Sequence, residues 1–222
     1  MSPTLKFAAL GTATALLLGA CSSDSSGNAG AMFDIARTLL SPETTSITLD
    51  QAGRVSNATI GMRLGDGNEA MLVLAKFEPG QLWVAGAELA VVTQKGRITE
   101  TQGLERNMTK LTPYGSVIPS LVPAVQGQRV HTRWFIDIKD LLVSGALMEC
   151  DAHAVGPESV TILGKAISTV HVTEDCSVPA LKWSFTNHYW ISPTSGVVWQ
   201  SLQHTHPKLD PLTIEVLRPA SA

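Results

Sequence analysis

The stretch LKWSFTNHYWISPTSGVVWQSLQHTHPKLDPLTIEVLRP, from Leu181 to Pro219, decides the fold. It contains two β-prone segments separated by a Pro-Thr-Ser-Gly turn, and a third short segment follows them. Aromatic and β-branched residues, which suit a pleated and half-buried surface, dominate the first two segments. Pro193 presets φ for a turn, and Gly196 can adopt a positive φ at its end. The stretch therefore predicts a β-hairpin with a slightly long loop, followed by a closing strand.

Aromatic residues are concentrated in this hairpin, at Trp183, Phe185, Tyr189, Trp190 and Trp199. Their positions alternate poorly, so we expect rings on both faces, most of them packed into the sheet. This leaves room for one exposed ring, for which Trp190 and Tyr189 are the best candidates. Because an aromatic face can stack on a sugar ring, Tyr189, Trp190 and Trp199 are our candidate contacts for a glycan or a partner.

The rest of the chain continues the alternation of strands and turns. Segments at 58–64 and 70–78 flank Gly65-Asp66-Gly67 and predict a second hairpin. Further strands are predicted at 82–85, 90–93, 97–101, 130–138, 147–155 and 160–172, with Gly156-Pro157 as a turn. Helical patterns are scarce. The predicted fold class is mainly β, with a large curved antiparallel sheet forming an open barrel or a sandwich.

A stretch rich in Pro and Gly, from Thr112 to Gln128, divides the chain near its middle. It predicts a long irregular connection or a short interrupted helix. The sequence leaves open whether it separates two domains or two halves of one sheet system. We treat residues 32–222 as a single β domain whose halves could meet near 112–128.

The amino terminus has the pattern of a bacterial lipoprotein. Lys6 precedes a short apolar segment, and Leu18-Gly19-Ala20-Cys21 then matches a lipobox. Residues 1–20 are therefore predicted to be a signal peptide, and Cys21 is predicted to be acylated. Residues 21–31 form a flexible tether rich in Ser and Gly, and residues 31–40 have the apolar spacing of one short helix. An Asp directly after the acylated Cys commonly retains lipoproteins in the inner membrane, and this chain has Ser22 there. We therefore expect the protein to be anchored at the periplasmic face of the outer membrane.

Composition and charge exclude some classes of function. The formal net charge is −3 and the chain has no basic run, which argues against nucleic acid as a partner. Besides Cys21, the sequence contains only Cys150 and Cys176. In an oxidising periplasm, this pair predicts a disulfide worth about 3 kcal/mol, with two buried free thiols as the alternative.

No set of residues predicts catalysis, and no cofactor is expected. His204 and His206 could supply half of a zinc site on one strand face, but Asp210 and His188 are only conjectural additional ligands, so we predict no metal. Asp137, Glu149 and Asp151 could offer the carboxylate pair of a glycosidase. Such residues near turns are more commonly solvated or paired with basic side chains, and we predict a protein that is not an enzyme.

Several stretches together resemble the YjbF/GfcB family. They are RLGDG (63–67), LWV (82–84), VVTQKGRITETQGL (91–104), ILGKA (162–166) and the segments WSFTNHYWISPTSGVVWQSLQHTHP and LTIEVLRP. Members are lipoproteins encoded with capsule or exopolysaccharide secretion genes of Gram-negative bacteria. The resemblance supplies no catalytic residues and does not extend to the cysteine pair. The chain departs from the family pattern at Ser192, where an Asp is expected ahead of the turn of the last hairpin.

The resemblance implies a non-enzymatic accessory lipoprotein of polysaccharide secretion on the periplasmic side of the outer membrane. Its implied partner is an outer-membrane β-barrel or another export component. The alternative is a periplasmic module that binds glycan or lipid, through the aromatic hairpin or through a cavity of the barrel.

Overall fold

The computed structural model describes residues 46–77 and 80–220. Twelve strands within these residues form one antiparallel sheet, which confirms the predicted fold class. Two short helices, α1 (Leu49–Gly53) and α2 (Val122–Val125), accompany the sheet. The strands are β1 (Thr59–Leu64), β2 (Glu69–Lys76), β3 (Gln81–Ala85), β4 (Leu89–Gln94), β5 (Arg97–Gln102), β6 (Lys110–Pro113), β7 (Val130–Ile138), β8 (Val143–Ile162), β9 (Lys165–Val178), β10 (Trp183–Ile191), β11 (Val198–Gln203) and β12 (Leu212–Arg218).

The sheet curls into a nearly closed barrel. Its strand order is β5-β4-β3-β2-β1-β12-β11-β10-β9-β8-β7-β6, so β5 and β6 are the two edges. These edges approach each other where Thr101 N donates to Met108 O at 3.0 Å. The strands before and after residues 112–128 belong to this same sheet, and that connection includes the end of β6 and all of α2.

Both hairpins predicted from turn chemistry are present. Ser192 N donates to Val197 O at 2.8 Å across the β10–β11 turn, and Gly196 has φ 72°. Gly67 N donates to Leu64 O at 2.9 Å across the β1–β2 turn. In each case a residue that tolerates a positive φ allows the chain to reverse.

The prediction of a turn at Gly156-Pro157 was wrong. β8 continues through these residues to Ile162, with a shift in register between Ala154 and Gly156, so the glycine marks a bulge instead. The reversal occurs at Leu163 and Gly164, which have φ 49° and 76°. Because β7 pairs only as far as Ala152 and β10 only as far as Val170, the end of the β8–β9 hairpin extends beyond its neighbours.

The inward side chains of the strands form the core. A large apolar cluster fills most of the interior, and a smaller one lies beneath α2. Fully buried members of the large cluster include Leu72, Val91, Trp134, Ile138 and Leu212.

The predicted signal peptide, Cys21, the tether and the helix expected at 31–40 all lie outside the described residues. Within the described ranges, no helix has the length and apolarity needed to cross a membrane.

Candidate functional site

A buried ion pair crosses the barrel interior between Arg97 on β5 and Glu174 on β9. Arg97 is 5% exposed and Glu174 is 0% exposed, so neither charge reaches solvent. Tyr189 Oη and Asn187 Nδ2, both on β10, each donate to Glu174 Oε2 at 3.2 Å. Buried charges are tolerated where they are paired and hydrogen-bonded, and this carboxylate meets both conditions.

Two aromatic rings flank the Arg97 guanidinium. It lies 4.7 Å from the ring centroid of Trp134 and 5.7 Å from that of Tyr189. Burial opposes the charge on Arg97, but the Glu174 carboxylate and Tyr189 outweigh it, so the pKa of Arg97 is raised. Burial raises the pKa of Tyr189, while Arg97 opposes this effect and Glu174 adds to it. Tyr189 therefore acts as a fixed hydrogen-bond donor and does not titrate near neutral pH.

Gln203 on β11 connects this network to the turn before β5. Its Oε1 accepts from Ile98 N at 2.9 Å, and its Nε2 donates to Gly96 O at 2.8 Å. Tyr189 Oη also lies 3.3 Å from Gln203 Oε1. One edge strand of the sheet is thus held to the opposite wall by side chains that pass through the interior.

The predicted disulfide between Cys150 and Cys176 is present and lies beside the ion pair. The two cysteines face each other on β8 and β9, and their Cα atoms are 4.1 Å apart. Ligand atoms of Cys150, Cys176 and Glu174 lie within 4.8 Å of one another. Because the two sulfur atoms are bonded to each other, they offer no thiolate to a metal. The disulfide, the ion pair and the apolar cluster around them fill the barrel interior at this level.

On the outer face of the barrel, four residues form what we call the histidine–tryptophan cluster: Glu158, His171, His188 and Trp190. His171 Nε2 lies 3.0 Å from His188 Nδ1, and His171 Nδ1 lies 3.2 Å from Glu158 Oε2. The rings of His171 and Trp190 are stacked, with centroids 4.8 Å apart and planes 7° apart. The cluster joins β8, β9 and β10. The sequence analysis named Trp190 and His188 separately but did not predict that they would meet His171 and Glu158.

Histidines near this cluster favour their neutral forms. Burial lowers the pKa of His188, and the neighbouring His171 lowers it further, while Asp175 and Glu158 oppose the shift. Burial also lowers the pKa of His204, with His188 as a second cause. Both shifts favour the neutral imidazole, which carries a lone pair on one ring nitrogen.

The structure separates the three aromatic residues that the sequence analysis selected as contacts. Tyr189 is 0% exposed, so the prediction that it could be the exposed ring was wrong. Its position on β10 points into the barrel, where its hydroxyl bonds to Glu174. Trp190 points outward and is half-buried. Trp199 is the extra residue of a bulge in β11, because Trp190 pairs with Gln200 while the next residue, Ile191, pairs with Val198.

His204 and His206 do not share one strand face, as the zinc site considered in the sequence analysis would require, because β11 ends at Gln203. The His204 ring packs against Phe185, with centroids 5.3 Å apart. His206 Nε2 instead lies 3.3 Å from Asp140 Oδ1. Asp210 lies against Gly65 at the β1–β2 turn.

The three carboxylates considered for glycoside hydrolysis are distributed along β7 and β8. Asp151 lies 3.0 Å from His131 Nδ1, and Asp137 Oδ1 accepts from Gly145 N at 2.6 Å. Glu149 lies opposite Arg133 in the strand register. Asp151 and Asp137 therefore have identified polar partners, as is common for carboxylates near turns.

A recess of about 740 Å³ lies on the outer face beside the β5–β6 seam. Its floor includes Leu82, Ala90 and Val92, which come from β3 and β4. Its rim carries charges of both signs, from Glu100, Glu105, Arg106, Lys139 and Asp140. Arg106 Nη1 lies 2.9 Å from Asp140 Oδ2, so an ion pair fixes the loop after β5 to the turn after β7.

The sequence analysis missed Arg97, Glu174 and His171. Arg97 and His171 lie within predicted strands, and Glu174 lies just beyond the strand predicted at 160–172. One signal for Glu174 was available, because Val172, Glu174, Cys176 and Val178 share one face of β9 and the other three are apolar. A charge in an apolar row indicates a buried partner. Nothing in the sequence identifies that partner as Arg97.

Three comparisons with known proteins agree with the family resemblance seen in the sequence. The family model described as "Group 4 capsule polysaccharide lipoprotein gfcB, YjbF" matches residues 32–217. The uncharacterized lipoprotein GfcB of Escherichia coli K12 is 24% identical over 164 residues, which cover 73% of this chain and 77% of that protein. The crystal structure of the hypothetical lipoprotein YmcC from E. coli K12 matches with a TM-score of 0.63 and 22% identity, over 78% of this chain and 89% of that chain. At this identity the structural match shows a shared fold.

Proposed function

Because the chain belongs to the YjbF/GfcB family of group 4 capsule polysaccharide lipoproteins, we propose that it is a non-enzymatic accessory lipoprotein of capsule or exopolysaccharide secretion. It is anchored through Cys21 to the periplasmic face of the outer membrane and docks an export partner there, such as an outer-membrane β-barrel. The observation that carries this proposal is the family match over residues 32–217, which begins shortly after the lipobox that ends at Cys21.

The packed interior supports a role performed by the outer surface. Arg97, Glu174 and the disulfide occupy the middle of the barrel, where a lipid or a glycan would otherwise have to enter. Strand addition at β6 is also disfavoured, because this edge strand has four residues and ends at Pro113. A docking partner is therefore best accommodated on a face of the sheet.

We assign the docking of the export partner to the recess beside the β5–β6 seam. An apolar floor surrounded by charged side chains is the usual composition of a non-obligate protein interface. The ion pair between Arg106 and Asp140 fixes the shape of the rim before binding, which reduces the entropic cost of association.

Photo-crosslinking from the recess tests this assignment. With p-benzoylphenylalanine in place of Gln102, an exposed residue lining the recess, we expect a covalent adduct with an outer-membrane export protein in cells that are producing polysaccharide. The same group in place of Ser168, exposed on the β8–β9 hairpin, is the matched control and should give no such adduct. Mass spectrometry of the isolated adduct identifies the partner.

Equal adducts from positions 102 and 168 would contradict a specific docking site. Their absence from both, while polysaccharide is exported, would contradict the docking proposal itself. Recovery of polysaccharide without any protein partner would favour the second candidate function described below.

Anchoring is tested independently of docking. We expect Cys21→Ser to move the protein from the membrane fraction to the soluble periplasm, because stable attachment requires the acyl chains on this cysteine. Ser22→Asp keeps the cysteine and is expected to shift the protein to the inner membrane. Density-gradient separation of the two membranes distinguishes these results, and a Cys21→Ser protein that stays in the outer membrane would contradict lipid anchoring.

One observation favours a second function, the binding of glycan on the outer face. Trp190 points outward in a row with the polar side chains of Gln200 and His171. A partly exposed ring with polar neighbours suits the apolar face and the hydroxyl edge of a sugar. In this second function, the protein binds the exported polysaccharide saturably, and the binding depends on Trp190.

A further inference from the structure

The outward-facing pair of His171 and His188 has a geometry that suits a metal ion. The two residues lie on neighbouring strands, 17 positions apart in the chain, and their facing nitrogen atoms are 3.0 Å apart. We propose that His171 Nε2 and His188 Nδ1 form a two-histidine site for a divalent transition-metal ion such as Zn²⁺. The site goes beyond the docking function and departs from the sequence-based expectation of no metal.

The separation of the two nitrogen atoms is close to that of two ligands on one ion. Zinc–nitrogen bonds of about 2.0–2.1 Å at a tetrahedral angle place two ligand atoms about 3.3–3.4 Å apart. An ion at the pair therefore requires the side chains to separate by only a few tenths of an ångström. Without a metal, the same two atoms can share one N–H···N hydrogen bond.

Glu158 prepares His171 for this role. The carboxylate lies 3.2 Å from His171 Nδ1, so it favours the tautomer that carries its proton on Nδ1 and its lone pair on Nε2. This is the carboxylate–histidine–metal arrangement in which a second residue orients the ligand and raises its basicity. His188 needs only to carry its proton on Nε2 to present Nδ1 to the same ion.

Trp190 restricts the orientation of the same ring. Its indole stacks on the His171 imidazole at 4.8 Å, with planes 7° apart. The His171 side chain is 16% exposed, so it is partly immobilised before any ion arrives. A ligand that is already oriented loses less conformational entropy on binding.

The remaining coordination positions are open. Within the described residues, no third His, Cys, Asp or Glu atom lies within 4.8 Å of both nitrogen atoms of the pair. Water, or an oxygen ligand from a bound partner, would complete the coordination. Imidazole is a suitable ligand for zinc, copper and nickel, so the site would select among these ions by availability more than by geometry.

Metal titration of the full-length protein tests the proposal. The protein is purified in detergent through a tag without histidine, and free thiols are alkylated beforehand so that they cannot bind the ion. Isothermal titration with Zn²⁺ is expected to show one ion per chain with an affinity in the micromolar range. Quenching of tryptophan fluorescence by Cu²⁺ provides a second readout, because Trp190 stacks on the proposed ligand.

Variants assign the ion to the pair. His171→Ala and His188→Ala are each expected to weaken binding at least tenfold, and Glu158→Gln about tenfold, since loss of a second residue behind a ligand typically costs about 10–100-fold. The matched control is His131→Ala, which removes an exposed histidine that also pairs with a carboxylate, Asp151, at 3.0 Å. The affinity of this control variant for Zn²⁺ should equal that of the unmodified protein.

Two results would overturn the proposal. One is unchanged affinity in the double variant His171→Ala/His188→Ala, which would place the ion elsewhere. The other is absence of binding below millimolar Zn²⁺ in the unmodified protein. Glu158 is half exposed on the extended hairpin, so Glu158→Gln keeps the test valid even if the histidine variants fold poorly.

Discussion

Replacing Glu174 with alanine is expected to lower the free energy of unfolding by about 3–5 kcal/mol, because the change leaves the Arg97 guanidinium buried without its counter-charge. The raised pKa of Arg97 reflects its pairing with Glu174, and a guanidinium does not escape the cost of burial by losing its proton. The donors on Tyr189 and Asn187 lose their acceptor in the same variant. Equilibrium unfolding in urea, followed by circular dichroism, measures the effect.

The exposed pair of Arg54 and Asp50 provides the matched control. Both side chains are 75% exposed, so Asp50→Ala should change the free energy of unfolding by less than about 1 kcal/mol. The double variant Arg97→Met/Glu174→Met removes both charges and should lose less stability than Glu174→Ala, since well-packed apolar residues commonly replace buried ion pairs at little cost. A Glu174→Ala protein as stable as the Asp50→Ala control would show that the ion pair contributes little.

Local sequence signals were sufficient for the hairpins of the fold. Gly65-Asp66-Gly67 and the Pro193–Gly196 turn lie between strands of alternating character, and both reversals occur where those residues predict them. The turn at Leu163 and Gly164 was missed because the stronger local signal, Gly156-Pro157, lies inside a strand as a bulge. A glycine and a proline indicate an irregularity, but they do not distinguish a turn from a bulge.

The candidate sites depend on contacts that local patterns do not encode. Arg97 and Glu174 are 77 positions apart and meet only because the sheet curls until β5 approaches β9 across the interior. The histidine pair requires the register of β9 and β10, in which His171 faces Trp190 and His188 faces Thr173. A slip of one residue would turn one of these histidines into the core, so residue types alone could not predict the pair.

The second large effect is expected at the disulfide. Exchanging both Cys150 and Cys176 for alanine should lower the free energy of unfolding by about 3.5 kcal/mol, because the bond restricts a loop of 26 residues in the unfolded chain. The bond also joins β8 to β9 beside Glu174, where Asn187 Nδ2 lies 3.9 Å from Cys176 Sγ. The two residues are 0% and 4% exposed, so the variant leaves a small cavity that adds to the loss.

Reductant separates the contribution of the bond from that of the cavity. Urea unfolding of the unmodified protein with dithiothreitol, equilibrated from the unfolded side so that the buried bond is accessible, should show most of the loss seen in the double alanine variant. The variant itself should unfold at the same urea concentration with and without reductant, because Cys21 is the only other cysteine of the chain. If reduction leaves the midpoint of the unmodified protein unchanged, the bond does not stabilise the fold, and the loss in the alanine variant reflects packing alone.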